Sequence, residues 1–205
     1  MLCEELGVSL SIHYWAEKIV GRIGGYDDLF EDVIRVHHNG FTKEDMKKRL
    51  RELWQITLAG VELMPGVSSL LANLQAAGYP LAVATASDRN WINRWFSRFD
   101  LQPYFQAIAT RDDVAHTKPA PDVYLFAASR LGVRPEHCLV FEDTLVGAQA
   151  AKAAGMTVVA VPSPLTRLLE FHQADDTIES LEVVTLAWIE ALNRKINNWV
   201  PEIGE

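Results

Sequence analysis

Residues Leu139 to Met156 read LVFEDTLVGAQAAKAAGM and contain the clearest strand-to-helix signal in the chain. The apolar run that ends at Phe141 predicts a short buried strand, and Thr144 can cap a helix that starts at once. Gly155 is placed to end this helix. Small residues recur along it at helical spacing, namely Gly147, Ala150, Ala151 and Ala154. A face of small residues lets a helix lie close to a sheet, so the stretch predicts a parallel strand followed by a packed helix.

Two adjacent carboxylates, Glu142 and Asp143, stand between this strand and its helix. Ligands of open α/β sheets bind beyond the carboxyl ends of the strands. Acidic side chains at that place commonly bind a hard cation such as Mg²⁺. The alternative is that Asp143 only caps the helix and Glu142 is solvated. These residues alone leave both interpretations open.

Strands and helices alternate from about residue 63 to the end of the chain. Apolar runs predict strands at 80–85, 105–109, 138–141, 157–161 and, more weakly, 177–178. Helical periodicity predicts helices at 67–74, 92–99, 123–131 and 181–196. This alternation is typical of a doubly wound parallel sheet with helices on both faces, so the predicted fold class is α/β.

The first 62 residues have helical patterns only. One predicted helix has Leu29, Phe30 and Val33 on one face, and Thr42 with Asp45 forms a capping box for the next. The break at Met64-Pro65-Gly66 separates these helices from the alternating region. We therefore predict a small helical domain at residues 1–62 and an α/β domain at residues 63–205.

The bulk composition limits the possible partners. The net charge of −8 over 205 residues argues against nucleic acid or an anionic membrane as the main partner, although a local pocket can still bind a small anion. The apolar content of 49% is ordinary for a globular protein. Of the two cysteines, Cys138 lies in a predicted buried strand, which favours a reduced, cytoplasmic protein.

Two further strand ends have polar groups. Thr85, Ala86 and Ser87 follow the strand at 80–85, where a hydroxyl and free backbone N–H groups suit a phosphate oxygen. The alternative is that Ser87 or Asp88 only caps the next helix. Lys118 lies in the loop TKPAPD, whose two prolines stiffen the chain, and a fixed lysine can neutralise a phosphate or a carboxylate. With Asp143 and its neighbour, these groups form a set suited to handling a phosphoryl group.

From about Gly7 to Ile178 the chain resembles the haloacid dehalogenase-like phosphohydrolase superfamily, and its β-phosphoglucomutase-like branch in particular. The resemblance rests on the motifs MPGV, VATAS, HTKPAPDVY and FEDTLVGAQAAKAAGM. It implies a Rossmann-like core with a helical cap domain at residues 1–62. It also implies that Thr85 binds the phosphoryl group together with its loop neighbours, that Lys118 pairs with that group and with the nucleophile, and that Asp143 holds Mg²⁺ with help from Glu142.

The same resemblance assigns substrate contacts to the loop GRIGG of the cap domain. There Arg22 and Gly24 would reach the substrate, although the glycines could serve only to turn the chain.

The sequence departs from the family at one place. The motif Asp-x-Asp-Gly-Thr, which supplies the family's nucleophile at the end of a central strand, does not occur among the 205 residues. By the family's sheet order that strand would lie between residues 80–85 and residues 138–141. We therefore expect the natural protein to have further residues before Met1. The rival hypothesis is a relative that has lost its nucleophile.

The resulting functional expectation is a Mg²⁺-dependent phosphomonoester hydrolase that acts on a small phosphorylated metabolite, such as a sugar phosphate, through an aspartyl-phosphate. The 205 residues by themselves are expected to be inactive. A phosphomutase of the β-phosphoglucomutase type and a non-catalytic binding or regulatory protein are the alternatives. A monomer is favoured, although the oligomeric state cannot be read from the sequence.

Overall fold

A computed structural model describes Ser9, Ser11, Tyr14 and residues 25–37 and 40–197 of the chain. The chain divides into two compact units. The first consists of Met1–Glu62 and Ser163–Glu170, and the second of Leu63–Pro162 and Phe171–Glu205. Arg22 and Gly24, which the resemblance assigns to the substrate, lie outside the described residues. Their role therefore stays a prediction, as does the role of residues 1–62 as a cap domain.

The first unit contains two described helices, α1 (Gly25–His37) and α2 (Lys43–Thr57). The predicted capping box is present, because the Thr42 side chain accepts a hydrogen bond from the Asp45 backbone N–H and the Asp45 side chain accepts one from the Thr42 backbone N–H. The core of the pair consists of the buried residues Leu29, Phe30, Val33 and Met46. Apolar residues at helical spacing thus form the packed face that the sequence predicts.

The second unit alternates helices and strands in the predicted order. Its elements are α3 (Val67–Ala76), β1 (Ala82–Ala84), α4 (Arg89–Phe99), β2 (Ala107–Ala109), α5 (Asp122–Leu131), β3 (Leu139–Glu142), α6 (Leu145–Ala153), β4 (Thr157–Ala160), β5 (Asp176–Thr177) and α7 (Leu186–Asn197). Every described strand pair is parallel. The predicted α/β fold class is therefore confirmed.

The strands of the second unit form two separate sheets, β1–β2 and β3–β4–β5. In the first sheet, the Leu81 carbonyl accepts a bond from Gln106 and the Thr85 N–H donates to Ala109. Successive residues of a strand direct their backbone groups to opposite sides. The N–H and C=O groups of Ala82 and Ala84 therefore point away from β2, toward an edge that no described strand pairs.

The second sheet has an equivalent free edge. The Glu142 carbonyl accepts a bond from Val161, and the Cys138 carbonyl accepts one from Thr157. By the same alternation, the backbone groups of Leu139 and Phe141 point away from β4, and within residues 25–37 and 40–197 no strand pairs with them.

A shared core packs against both sheets. Leu70, Leu74 and Val184 form a buried cluster, and both Leu81, which precedes β1, and Phe141 in β3 pack against it. Helix α5 packs on β1 and β2, and α6 packs on β3 and β4. Helices therefore hold the two sheets in one unit without strand pairing between β1 and β3.

The end of the chain differs from the prediction. A helix was expected over 181–196, but the structure has a short 3-10 turn at Leu181–Val183 and then α7. The reason is local, because the hydroxyl of Ser180 accepts a bond from the Glu182 N–H and that of Thr185 accepts one from the Trp188 N–H, so each starts a separate turn. None of the described helices is long and apolar enough to cross a membrane.

Candidate anion and metal site

The carboxylate of Glu142 is the centre of a buried polar network at the end of β3. The residue is 8% exposed. Its Oε1 atom accepts hydrogen bonds from the Lys118 ammonium group and from the Tyr124 hydroxyl, the latter at 2.9 Å. Its Oε2 atom accepts bonds from the Asp143 N–H at 2.8 Å and from both the N–H and the hydroxyl of Thr144 at 2.9 Å. Five donors therefore surround one carboxylate, and the interpretation of a solvated Glu142 is wrong.

Lys118 is brought to this network by the loop before α5. Its side chain is only 7% exposed and forms an ion pair with Glu142. Its Nζ atom also lies 4.7 Å from the centroid of the Tyr124 ring, within the range of a cation–π interaction. The sequence predicted a rigid lysine here, and the structure shows a buried, paired one.

Burial and ion pairing shift the pKa of Glu142 in opposite directions. Burial alone would raise the pKa of its carboxyl group, because it disfavours the charged form. The positive charge and hydrogen bond of Lys118, with the hydrogen bonds from Thr144, outweigh this effect and hold the pKa of Glu142 below its usual range. At neutral pH the network therefore contains an ionised Glu142 facing an ammonium group.

Asp143 has the opposite electrostatic environment. Desolvation of its carboxyl group by the surrounding protein and the adjacent charge of Glu142 raise the pKa of Asp143 to about 6, whereas the residue as a whole is classed as exposed. Thr144, and not Asp143, is the N-cap of α6, because its hydroxyl accepts a bond from the Gly147 N–H at 3.1 Å. The interpretation of Asp143 as a helix cap is therefore wrong.

Gly147 makes room for the Glu142 carboxylate at the start of α6. A Cβ atom at this position would overlap the carboxyl carbon and both oxygens of Glu142. The small-residue face of α6, with buried Ala148, Ala150 and Ala151, brings the helix close to the sheet. The sequence predicted this face for packing, but it did not indicate that one glycine is needed to admit a carboxylate.

Thr85 lies at the carboxyl end of β1, half-buried together with Ala86 and Ser87. Its hydroxyl accepts a hydrogen bond from the Ser87 N–H at 3.1 Å, so it bonds within its own loop and not to Lys118 or Glu142. Asp88 is the residue that caps α4, with its carboxylate accepting a bond from the Trp91 N–H at 2.8 Å. Of the two residues that the sequence offered as a helix cap, Asp88 therefore caps α4 and Ser87 does not.

The structure brings together Lys118, Glu142 and the neighbouring Asp143, whereas Thr85 to Ser87 form a separate loop at another strand end. The phosphate and metal roles that we predicted for these residues stay predictions. Sequence patterns predict no role for Tyr124 and only a packing role for Gly147. Both lie within the motifs that we quoted, but only the folded chain shows that they contact Glu142.

The two carboxylates differ in how well they fit a cation. Mg²⁺ takes oxygen ligands in an octahedral arrangement and commonly uses one or two carboxylates with water and phosphate oxygens. The carboxylate of Asp143, which does not cap the helix, fits this description. Glu142 would have to exchange some of its five donors to coordinate directly. No group of three or more His, Cys, Asp or Glu residues suited to a metal occurs in the part of the chain that the structure describes.

Comparison with known proteins gives a family match. The family model described as haloacid dehalogenase-like hydrolase matches residues 13–161. The Bacillus subtilis (strain 168) protein YhcW is 34% identical over 184 residues, which cover 90% of this chain and 83% of that protein. Hexitol phosphatase B of Escherichia coli (strain K12) is 37% identical over 124 residues, which cover 60% of this chain and 56% of the enzyme.

Solved structures show the same likeness. The crystal structure of a CbbY mutant from Rhodobacter sphaeroides in complex with xylulose-(1,5)bisphosphate is 28% identical, with a TM-score of 0.63 over 90% of this chain and 92% of that one. The β-phosphoglucomutase of Clostridium difficile has a TM-score of 0.73 over 97% of this chain and 88% of that one. At 20% identity, the second comparison concerns the fold alone.

Proposed function

Because this chain belongs to the haloacid dehalogenase-like hydrolase family, we propose that it contains the phosphate and metal site of a Mg²⁺-dependent phosphomonoester hydrolase. The observation that carries this proposal is the juxtaposition of a buried, ionised Lys118–Glu142 pair and the adjacent Asp143 carboxylate at one strand end. A fixed positive charge beside a site for a cation is the arrangement that stabilises a transferring phosphoryl group.

Each residue has a distinct role in this proposal. Lys118 neutralises charge on the phosphoryl oxygens, and the Thr85 hydroxyl and the Ala86 N–H donate hydrogen bonds to them. The Ser87 N–H joins these donors by giving up its bond to the Thr85 hydroxyl. Asp143 holds Mg²⁺, with Glu142 as the second acidic residue of the site. When bound, the metal supplies Lewis-acid stabilisation of the phosphoryl oxygens.

The attacking group is proposed to be an aspartate outside the 205 residues. By resemblance to the family, its carboxylate attacks phosphorus, the bond to the leaving alcohol oxygen breaks, and an aspartyl-phosphate forms that water then hydrolyses. The unpaired edges of β1 and β3 support this part of the proposal, because a parallel strand added beside β3 would end near Glu142 and Asp143. Without that group we expect the 205 residues to bind phosphate but not to release it from an ester.

The proposed substrate is a small phosphorylated metabolite resembling a sugar phosphate. The names of hexitol phosphatase B and of the CbbY complex with a pentulose bisphosphate support this substrate class. We further propose that residues 1–62, including Arg22 and Gly24, form the cap domain that selects among such substrates, and that the protein works as a cytoplasmic monomer.

The test compares phosphate release by two chains in the presence of Mg²⁺. One is the 205-residue chain, and the other has a strand ending in Asp-x-Asp-Gly-Thr added before it. With a panel of hexose, pentose and hexitol phosphates, we expect release only by the longer chain and a loss of at least about 100-fold in kcat on Lys118→Ala. As a matched control, Lys152→Ala should leave kcat unchanged. Lys152 lies in the last turn of α6, at the end away from Glu142, and pairs with Asp175.

Two other outcomes would contradict the hydrolase proposal. Isomerisation of a β-sugar 1-phosphate without net phosphate release would identify a phosphomutase. Phosphate binding without turnover by the longer chain would identify a binding or regulatory protein.

A further inference from the structure

Tyr124 contacts both partners of the buried ion pair. Its hydroxyl donates to Glu142 Oε1 at 2.9 Å, and its ring face lies 4.7 Å from Lys118 Nζ. The residue is 4% exposed, so both contacts are shielded from water. We propose that Tyr124 is a positioning residue that fixes the ammonium group of Lys118 at the strand end. This inference rests on the proposed function only in taking Lys118 as the phosphate-binding cation.

The hydroxyl is not needed to satisfy Glu142. The carboxylate already accepts four other hydrogen bonds, from Lys118, the Asp143 N–H and two donors of Thr144. The Tyr124 hydroxyl instead restrains the position of the Lys118 ammonium group, because both groups donate to the same oxygen of Glu142. Two donors on Oε1 restrict where the ammonium group can lie.

The ring provides the second restraint. An ammonium group has three N–H donors, and an aromatic face attracts it electrostatically. Glu142 takes one donor of Lys118, and the Tyr124 ring covers one side of the group. Lysine is otherwise a flexible side chain with four rotatable carbons. Held at these two points, Lys118 keeps a remaining N–H for an anion without losing side-chain entropy when that anion binds.

A packing role alone would need only the ring. Phenylalanine fills nearly the same space as tyrosine but has no hydroxyl, and leucine removes both the hydroxyl and the aromatic face. The pair of variants Tyr124→Phe and Tyr124→Leu therefore separates the two contacts, and the near-isosteric first variant guards against loss of the fold.

The experiment measures the acylation rate of each lysine amine in the 205-residue chain by mass spectrometry, without any ligand. In the wild type we expect Lys118 to react slowly. Loss of the hydroxyl in Tyr124→Phe should raise the Lys118 rate about fivefold, and Tyr124→Leu should raise it about 20-fold. Lys152, which pairs with Asp175 in the same unit, is the internal control and should keep its rate. Tyr79→Phe, at a residue that is 42% exposed, is the matched hydroxyl deletion and should change neither rate.

The proposal is overturned if Lys118 reacts at the wild-type rate in Tyr124→Phe, or if the rates of Lys118 and Lys152 rise together, since that would report general loosening. Added inorganic phosphate with Mg²⁺ gives a separate result. Protection of Lys118 by phosphate tests the proposed function, whereas the rates without phosphate test the role of Tyr124, so the two can fail independently.

Discussion

Glu142 shows how one residue can hold several others at a strand end. Its carboxylate is buried and bonds to Lys118, Tyr124, Thr144 and the backbone of Asp143. A buried carboxylate is unfavourable unless its charge is paired and its oxygens are hydrogen-bonded. Here both conditions are met, and the same bonds fix the position of a lysine. Of the two adjacent acidic residues, Glu142 is thus buried and anchors the network, whereas Asp143 is an exposed residue.

Replacement of Glu142 by glutamine tests this anchor. At pH 7 we expect Glu142→Gln to lower the free energy of unfolding by about 3–5 kcal/mol, because it leaves the Lys118 ammonium group buried without its counter-charge. The pKa of Glu142 is lowered in the folded chain, so its contribution is complete above its usual value of 4.5 and is lost as the pH falls through the lower folded pKa. Urea unfolding at a series of pH values should therefore show the difference between wild type and variant shrinking below pH 4.5.

The control is the neighbouring carboxylate. The pKa of Asp143 is raised, so ionisation of Asp143 opposes folding at neutral pH, and Asp143→Asn should leave stability unchanged or increase it. A Glu142→Gln variant as stable as the wild type at pH 7 would contradict the role of Glu142 as an anchor.

At the level of elements, α6 is fitted to the carboxylate that precedes it. Thr144 caps the helix, and Gly147 in its first turn leaves space for the Glu142 side chain. The first turn of α6 therefore both starts the helix and accommodates the ion pair of Glu142. This explains why a glycine occurs inside a helix, where it is normally unfavourable by about 1 kcal/mol relative to alanine.

Gly147→Ala tests the fit. In an open helix the change would stabilise by about 1 kcal/mol, but here the new methyl group would overlap the Glu142 carboxylate and force the network apart. Overpacking of this kind costs about 1–3 kcal/mol, so we expect a net loss of stability in urea unfolding. Gly60→Ala is the control, because among the described residues no atom beyond its chain neighbours lies within 4 Å of a Cβ at that position. Stabilisation by Gly147→Ala would contradict the inferred overlap.

At the level of the whole molecule, the two parallel sheets lie on a common core without pairing to each other. Unpaired backbone groups in a shielded place are unfavourable by about 1–3 kcal/mol each. The free edges of β1 and β3 should therefore be the least stable part of the second unit, and the place where an added parallel strand stabilises it.

Amide hydrogen exchange tests this expectation residue by residue. Ala84 and Phe141 direct their N–H groups to the free edges, whereas their neighbours Val83 and Val140 direct theirs to β2 and β4. We expect at least about tenfold faster exchange for Ala84 and Phe141 than for these neighbours, because only the latter are held in a ladder. In a chain extended by a strand ending in Asp-x-Asp-Gly-Thr, the difference should disappear. Equal protection within the 205-residue chain would contradict the free edges.

The sequence by itself determined the fold class, the order of the elements and the family. Alternating apolar runs and amphipathic segments identify parallel strands and helices, and the capping box of Thr42 and Asp45 was predicted from four consecutive residues. Such signals are local, since they depend on periodicity and on hydrogen bonds between near neighbours. For the same reason local hydroxyls split the predicted helix at 181–196 in a way that periodicity alone did not show.

Only the tertiary structure decided what each polar residue contacts. Lys118 and Glu142 are 24 positions apart, and Tyr124 and Glu142 are 18 apart. The sequence between these residues does not predict that Lys118 and Tyr124 contact Glu142. Packing of α5 and α6 against the strands sets these contacts, and the resulting burial decides that Glu142 pairs with a lysine while Asp143, one residue later, faces solvent. Burial and ion pairing are properties of the folded chain, so only the tertiary structure shows that these two adjacent acidic residues have different roles.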